Sequence, residues 1–147
     1  MDRGRVLVVD DEVNFRYFLS MLFTRHGYEA KTARNGEEAL KVLGDWLPDC
    51  ITLDMMMPER SGLSLYEKLC QHPVWKSIPV VVLSAVPIHV RSHLLEIMKI
   101  SAGPLPEPTV CLEKPAAPET ILEAVAEALH SAAKRDGGSY GQESSDH

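Results

Sequence analysis

Apolar residues along the chain alternate between two patterns. Short continuous runs at Arg5–Val9, Cys50–Leu53, Pro79–Leu83 and Thr109–Glu113 read as strands β1, β3, β4 and β5, and a weaker run at Tyr28–Thr32 reads as β2. Between them, apolar residues at helical spacing predict five helices. The first stripe, α1, is Phe15, Phe18, Leu19, Leu22 and Phe23, ended by His26-Gly27. The second, α2, is Ala39, Leu40, Leu43, Trp46 and Leu47, opened by Asn35-Gly36 and stopped by Pro48. Leu65, Tyr66 and Leu69 mark α3, which ends near Pro73, and Val90, Leu94, Ile97 and Met98 mark α4. Ile121, Leu122, Val125 and Leu129 mark α5, entered at Pro118.

The order is therefore β-α repeated five times. Runs such as Val80-Val81-Val82-Leu83 do not alternate with polar residues, as expected of strands buried on both faces of a parallel sheet between helices. Two segments break the rhythm. Residues 103–108 carry prolines at 104, 106 and 108, which favour extended chain over helix. Residues 134–147 are polar and rich in Gly and Ser, and read as a disordered tail or the start of a linker behind a domain spanning 1–133.

Composition narrows the class. A chain of 147 residues with 45% apolar content suits one globular domain. The net charge of −6, with no long basic block, argues against direct nucleic-acid binding. The cysteines, Cys50, Cys70 and Cys111, are odd in number and form no C-x-x-C pair, which suggests a reducing, cytoplasmic setting. No signal peptide or run long enough to span a membrane is visible.

The chemistry lies where the strand-like runs end. β1 runs into Asp10-Asp11, β3 into Asp54, β4 into Ser84 and β5 into Lys114-Pro115. In an open parallel sheet these ends share one edge, and ligands bind beyond it near the point where strand order reverses. Two carboxylates about 4 Å apart repel by about 4 kcal/mol at an effective dielectric of 20, so three together call for a counter-charge. A hard divalent cation such as Mg²⁺ supplies one through oxygen ligands. A carboxylate can also act as a nucleophile and form an aspartyl-phosphate, a reaction that needs mainly positioning and charge neutralisation. On this reading Asp54 accepts a phosphoryl group, Asp10 and Asp11 hold the metal, and Lys114 and Ser84 bind the phosphoryl oxygens.

The motifs Val6-Leu7-Val8-Val9-Asp10-Asp11-Glu12, Pro48-Asp49 through Asp54, Met57-Pro58 with Gly62, Leu83-Ser84-Ala85 and Glu113-Lys114-Pro115, with Gly36-Glu37-Glu38-Ala39-Leu40 in α2, occur in that order. Together they resemble the receiver domains of two-component response regulators over residues 5 to about 133. The resemblance implies an α/β, flavodoxin-like sandwich with five parallel strands in the order 2-1-3-4-5. It implies phosphotransfer to Asp54 from a sensor histidine kinase or phosphotransfer protein, with Mg²⁺ held by Asp11, Asp54 and the backbone carbonyl of Met56 and with Asp10 acting through water. It further implies a cis peptide at Lys114-Pro115 and signalling to a downstream protein through the α4-β5-α5 face, with a phosphorylation-dependent dimer among the alternatives. Such a module catalyses only its own phosphorylation and dephosphorylation and is not a metabolic enzyme.

The sequence departs from the family at several points. Cys111 stands where an aromatic switch residue is usual, and the segment from Ser84 to Lys114 is lengthened by the proline-rich stretch, so the output face is expected to be remodelled. Met56 and Val86 replace polar side chains that orient the attacking water, which predicts a long-lived aspartyl-phosphate. Other constellations have simpler explanations. Met55, Met56 and Met57 read as packing rather than a copper site. His89 and His93 lack a third zinc ligand and read as solvated. Two rival functions remain: a phosphorylation-independent scaffold with the same fold, and a Mg²⁺-dependent aspartyl-phosphate hydrolase of the haloacid dehalogenase type. The hydrolase carries a second Asp two residues after the nucleophile, a position held here by Met56.

Overall fold

The computed structural model describes residues 3–58, 61–85 and 108–145. The predicted helix α4 lies outside these residues, as do Val86, His89, His93 and most of the proline-rich stretch.

The five strands are β1 (Gly4–Val9), β2 (Tyr28–Ala33), β3 (Cys50–Leu53), β4 (Val80–Ser84) and β5 (Val110–Glu113). They form one parallel sheet in the order β2-β1-β3-β4-β5, as expected. Apolar runs without polar alternation pack on both faces of this sheet. From β1, Leu7 and Val9 join Ile51, Leu53, Leu65 and Leu69 on the α2-α3 side. Val6 and Val8 join Leu19, Phe23, Ile121 and Val125 on the α1-α5 side. Each strand thus feeds two cores, and a one-residue slip would exchange every side chain between them.

Helix α1 spans Val13–Arg25, α2 Gly36–Leu43, α3 Ser61–Gln71 and α5 Pro118–Ser145. Helix α1 stops where Gly27 takes a φ of 92°, a left-handed conformation that favours glycine. Asn35 caps α2 by accepting the Glu38 N–H at 2.8 Å. Helix α2 is shorter than its apolar stripe suggests. It ends at Leu43, yet Trp46 remains buried against the α2-α3 core, with its main-chain N–H bonded to the Val42 carbonyl at 2.9 Å. Burial of one large ring, rather than continued helix, accounts for that part of the stripe.

Helix α5 begins at Pro118, a position where proline's missing N–H costs nothing. The boundary drawn from composition at residue 133 does not coincide with its end, because the helix continues to Ser145. Extending an existing helix is far easier than nucleating one, so polar residues beyond a packed segment can follow it. Among the described residues no helix is long and apolar enough to cross a membrane. The three cysteines, all among the described residues, form no disulfide. Cys50 is fully buried, which pushes its thiol up to about 12.

Candidate functional site

Backbone ladders carry the site residues just past the strand ends. The Asp10 N–H bonds to the Ala33 carbonyl of β2 at 3.1 Å, and the Asp54 N–H bonds to the Val9 carbonyl of β1 at 3.0 Å. The Lys114 N–H bonds to the Ser84 carbonyl of β4 at 2.8 Å. Adjacent strands thereby fix Asp10, Asp54 and Lys114 at one edge of the sheet. Strand order reverses at β1, between β2 and β3, and Asp10 and Asp54 stand at that switch point.

Carboxylate oxygens of Asp10, Asp11 and Asp54 lie within 4.8 Å of one another. Asp10 and Asp54 are buried, and Asp11 is exposed. Lys114 Nζ lies 2.7 Å from Asp10 Oδ2 and 3.7 Å from Asp54 Oδ2. The peptide bond between Lys114 and Pro115 is cis, as expected. Asp10 Oδ1 accepts the Glu12 N–H at 2.9 Å, and Asp54 Oδ1 accepts the Met56 N–H at 3.0 Å. Each buried carboxylate is thus oriented by a main-chain donor on one oxygen and faces Lys114 with the other. Ser84 is the last residue of β4, buried, and paired in register with Glu113.

Burial raises the Asp54 carboxyl above the ordinary carboxylate range. The Met56 N–H and then Lys114 pull it down, while Asp10 and Asp11 push it further up. Burial is thus the main cause of the rise, and the neighbouring carboxylates add to it. The donor atoms of the cluster are all carboxylate oxygens, which suit a hard divalent cation and not a soft one.

Several residues that shape the site did not stand out in the sequence. Phe15, read there as part of a core stripe, is only half-buried, and Lys114 Nζ lies 4.1 Å from its ring centroid. Arg16 donates to the Asp10 main-chain carbonyl at 2.8 Å. Gly62, quoted above only as part of a motif, lies so close to β3 that an added Cβ would fall 2.2 Å from the Asp54 carbonyl oxygen. The first turn of α1 follows Asp10-Asp11 directly, which is the signal that could have drawn attention to Phe15 and Arg16.

Of the departures noted in the sequence, Met56 is exposed beside Asp54. Cys111 pairs with Val82 in the middle of β5 and packs, partly buried, against the α2-α3 core. It is less enclosed than Cys50 because β5 is an edge strand.

Comparison with known proteins agrees with this geometry. The family model of the response regulator receiver domain matches residues 6–126. The chain is 37% identical over 82 residues to regulatory protein AtoC of Escherichia coli, a match covering 56% of this chain and 17% of that protein. It is 43% identical over 84 residues to response regulator PleD of Caulobacter vibrioides, covering 56% and 18% respectively. The chain thus spans less than a fifth of the length of these two relatives. Among solved structures, chemotaxis protein CheY4 of Vibrio cholerae superposes with a TM-score of 0.72 at 27% identity, covering 85% of this chain and 98% of that one. A putative response regulator from Chloroflexus aurantiacus gives 0.71 at 30% identity, covering 86% and 98%. The family model spans most of the chain, over a parallel sheet in the order β2-β1-β3-β4-β5 with an acid trio at its switch point, and the chain belongs to the response regulator receiver domain family of two-component signalling.

Proposed function

We propose that the chain is a phosphorylation-driven switch that accepts a phosphoryl group on Asp54 from a histidine kinase or phosphotransfer protein. One observation carries the reading: a single ammonium, Lys114 Nζ, stands between two buried carboxylates, 2.7 Å from Asp10 and 3.7 Å from Asp54. A lysine held only for stability would need one partner. Poised between two, it can turn to a new anion placed on Asp54.

The acid trio fits Mg²⁺, which Asp11, Asp54 and the Met56 backbone carbonyl would hold, with Asp10 acting through water. Bound there, Mg²⁺ supplies positive charge for the oxygens of the transferring group. The Met56 N–H holds the Asp54 carboxylate in a fixed plane. The carboxylate attacks the phosphorus of a phosphoimidazole, forming an O–P bond. The P–N bond breaks, its electron pair leaves with the imidazole nitrogen, and that nitrogen takes up a proton. Lys114 pairs with a phosphoryl oxygen, and the Ser84 hydroxyl donates to another. The new dianion biases a two-state equilibrium that is read on the α4-β5-α5 face. With Cys111 in β5, that face works without an aromatic at this position.

The protein catalyses only its own phosphorylation and dephosphorylation, acts in the cytoplasm, and passes its signal to another protein. Incubation with acetyl phosphate and Mg²⁺ tests the reading. Intact mass spectrometry should show one added phosphoryl group in the wild type and none in Asp54→Ala. An unmodified wild type would instead favour a phosphorylation-independent scaffold.

A further inference from the structure

We propose that Phe15 is a positioning residue for Lys114, its ring serving as the seat on which the ammonium pivots between Asp10 and the phosphorylated Asp54. The inference rests on the reading of Lys114 as the phosphoryl-pairing cation. Among the described residues, two carboxylates and one aromatic ring lie close to the Lys114 ammonium. Asp10 Oδ2 at 2.7 Å and Asp54 Oδ2 at 3.7 Å attract it along particular directions, and the Phe15 ring centroid lies 4.1 Å from Nζ.

The difference between these partners gives the ring its use. A lysine is a compact charge on a four-carbon stem, with much rotamer freedom to lose and no planar fork to fix its direction. If only carboxylates held it, moving toward a new phosphoryl oxygen would mean breaking its shortest hydrogen bond with nothing to replace it. An aromatic face attracts a cation through its quadrupole and sets no hydrogen-bond direction. Nζ can therefore slide over the ring while exchanging oxygen partners. The Lys114 side chain is 18% exposed, so the contact is largely removed from water, where such attraction is strongest.

The ring itself is held in place. Phe15 lies in the first turn of α1, and its centroid is 5.8 Å from that of Phe18 at a 39° tilt. The next residue, Arg16, ties the same turn to the Asp10 carbonyl at 2.8 Å. Ring and carboxylate are thus parts of one local framework, across which Lys114 is laid from β5. Phe15 is half-buried, with part of its surface packed against the α1-α5 core, so the ring spans core and site.

The test compares phosphorylation by acetyl phosphate at saturating Mg²⁺. Phe15→Leu should slow it about three- to tenfold, the range of a cation–π contact at a partly desolvated site. Phe15→Tyr, which keeps the ring, should restore the rate. In a Lys114→Ala background Phe15→Leu should change nothing further. If Phe15→Leu fails to fold, trifluorophenylalanine at position 15 replaces it, because fluorination weakens the ring's attraction while keeping its shape. A readout independent of phosphorylation is the Lys114 ε-methylene proton resonance. It should be shifted upfield by the ring in the wild type and in Phe15→Tyr, and should lose that shift in Phe15→Leu.

Equal rates in the wild type and Phe15→Leu would overturn the proposal while leaving the proposed function intact. So would an undiminished effect of Phe15→Leu without Lys114, or a loss seen only with a protein donor, which would make Phe15 a docking contact. A wild type that takes no phosphoryl group would overturn the underlying reading, and the proposed role with it.

Discussion

Lys114 Nζ donates to Asp10 Oδ2 at 2.7 Å, joining residues 104 positions apart at the ends of β5 and β1, strands that are not neighbours in the sheet. Asp10 is almost wholly buried, and its carboxylate accepts from the Lys114 ammonium, while Arg16 donates to its main-chain carbonyl. Removing a single partner leaves a buried charge uncompensated, whereas removing both charges does not. Lys114→Ala should therefore cost about 1–3 kcal/mol of folding stability, within the usual cost of leaving a buried hydrogen-bonding group unpaired. Adding Asp10→Asn to it should recover most of that loss. Urea denaturation of the two single variants and the double variant measures the coupling, and strictly additive losses would show that the pair is not a stabilising unit.

Asp54 predicts a pH dependence of opposite sense to that of a salt-bridged aspartate. Burial raises its carboxyl above the ordinary value of 3.8 in the folded chain. Between that value and the raised one the folded state binds more protons than the unfolded state, so this group's contribution to stability falls as pH rises through the window. Above the window the wild type carries the full penalty of an ionised, crowded carboxylate. Asp54→Asn should therefore melt higher than the wild type at pH 7. Its advantage should shrink as pH is lowered through the window and disappear below about 3.8, where Asp54 is neutral in both states. Mg²⁺ should raise the wild-type melting temperature at pH 7 and leave Asp54→Asn less affected. Calorimetry across pH, with and without Mg²⁺, checks both trends.

Gly62 predicts a variant that damages the site from behind. A Cβ there would meet the Asp54 carbonyl oxygen at 2.2 Å and Met55 Cα at 2.8 Å, both backbone atoms that cannot rotate away. Glycine to alanine inside a helix normally gains about 1 kcal/mol. Here overpacking should outweigh that gain, for a net loss of about 1–3 kcal/mol. The strain falls on Asp54, the residue proposed to accept the phosphoryl group. A displacement of about 1 Å at a reacting group can cost about a hundredfold in rate, so phosphorylation should fall more steeply than stability suggests. Gly62→Ala is checked by chemical denaturation together with the acetyl phosphate reaction. A variant with wild-type rates would show that Asp54 is not positioned through this contact.

Most of the site was legible in the sequence because its residues terminate strands. A continuous apolar run announces a strand, the polar residue after it marks the end, and parallel order brings all the ends to one edge. Asp10, Asp54, Ser84 and Lys114 were found in this way, and strand pairing places them as expected. What escaped were features that depend on distance across the fold. Phe15 has the spacing of a core residue, and its approach to Lys114 is a tertiary contact across 99 positions that periodicity cannot register. Trp46 continues the α2 stripe in sequence but is buried beyond the helix end, since hydrophobicity reports burial and not the backbone that achieves it. The continuation of α5 past residue 133 was hidden for the opposite reason: composition reports the lack of apolar anchors and says little about a helix extended from a packed segment.

Met56 predicts how long the signal lasts. Its backbone N–H donates to Asp54 Oδ1, and the residue is 49% exposed. Hydrolysis of an aspartyl-phosphate needs a water held in line with the P–O bond, and a thioether side chain offers that water only a feeble acceptor. The phosphorylated wild type should therefore persist well beyond seconds in Mg²⁺ buffer. Met56→Asn supplies a carbonyl acceptor and two N–H donors at the same place without altering the main-chain bond to Asp54. It should shorten the lifetime about tenfold through positioning of the water, while leaving the rate of phosphorylation nearly unchanged. The two rates separate cleanly when acetyl phosphate is removed by rapid desalting and the phosphorylated fraction is followed by intact mass. A wild-type half-life of a few seconds, or a Met56→Asn variant that decays no faster, would show that the side chain at this position does not govern access of water to the phosphoryl group.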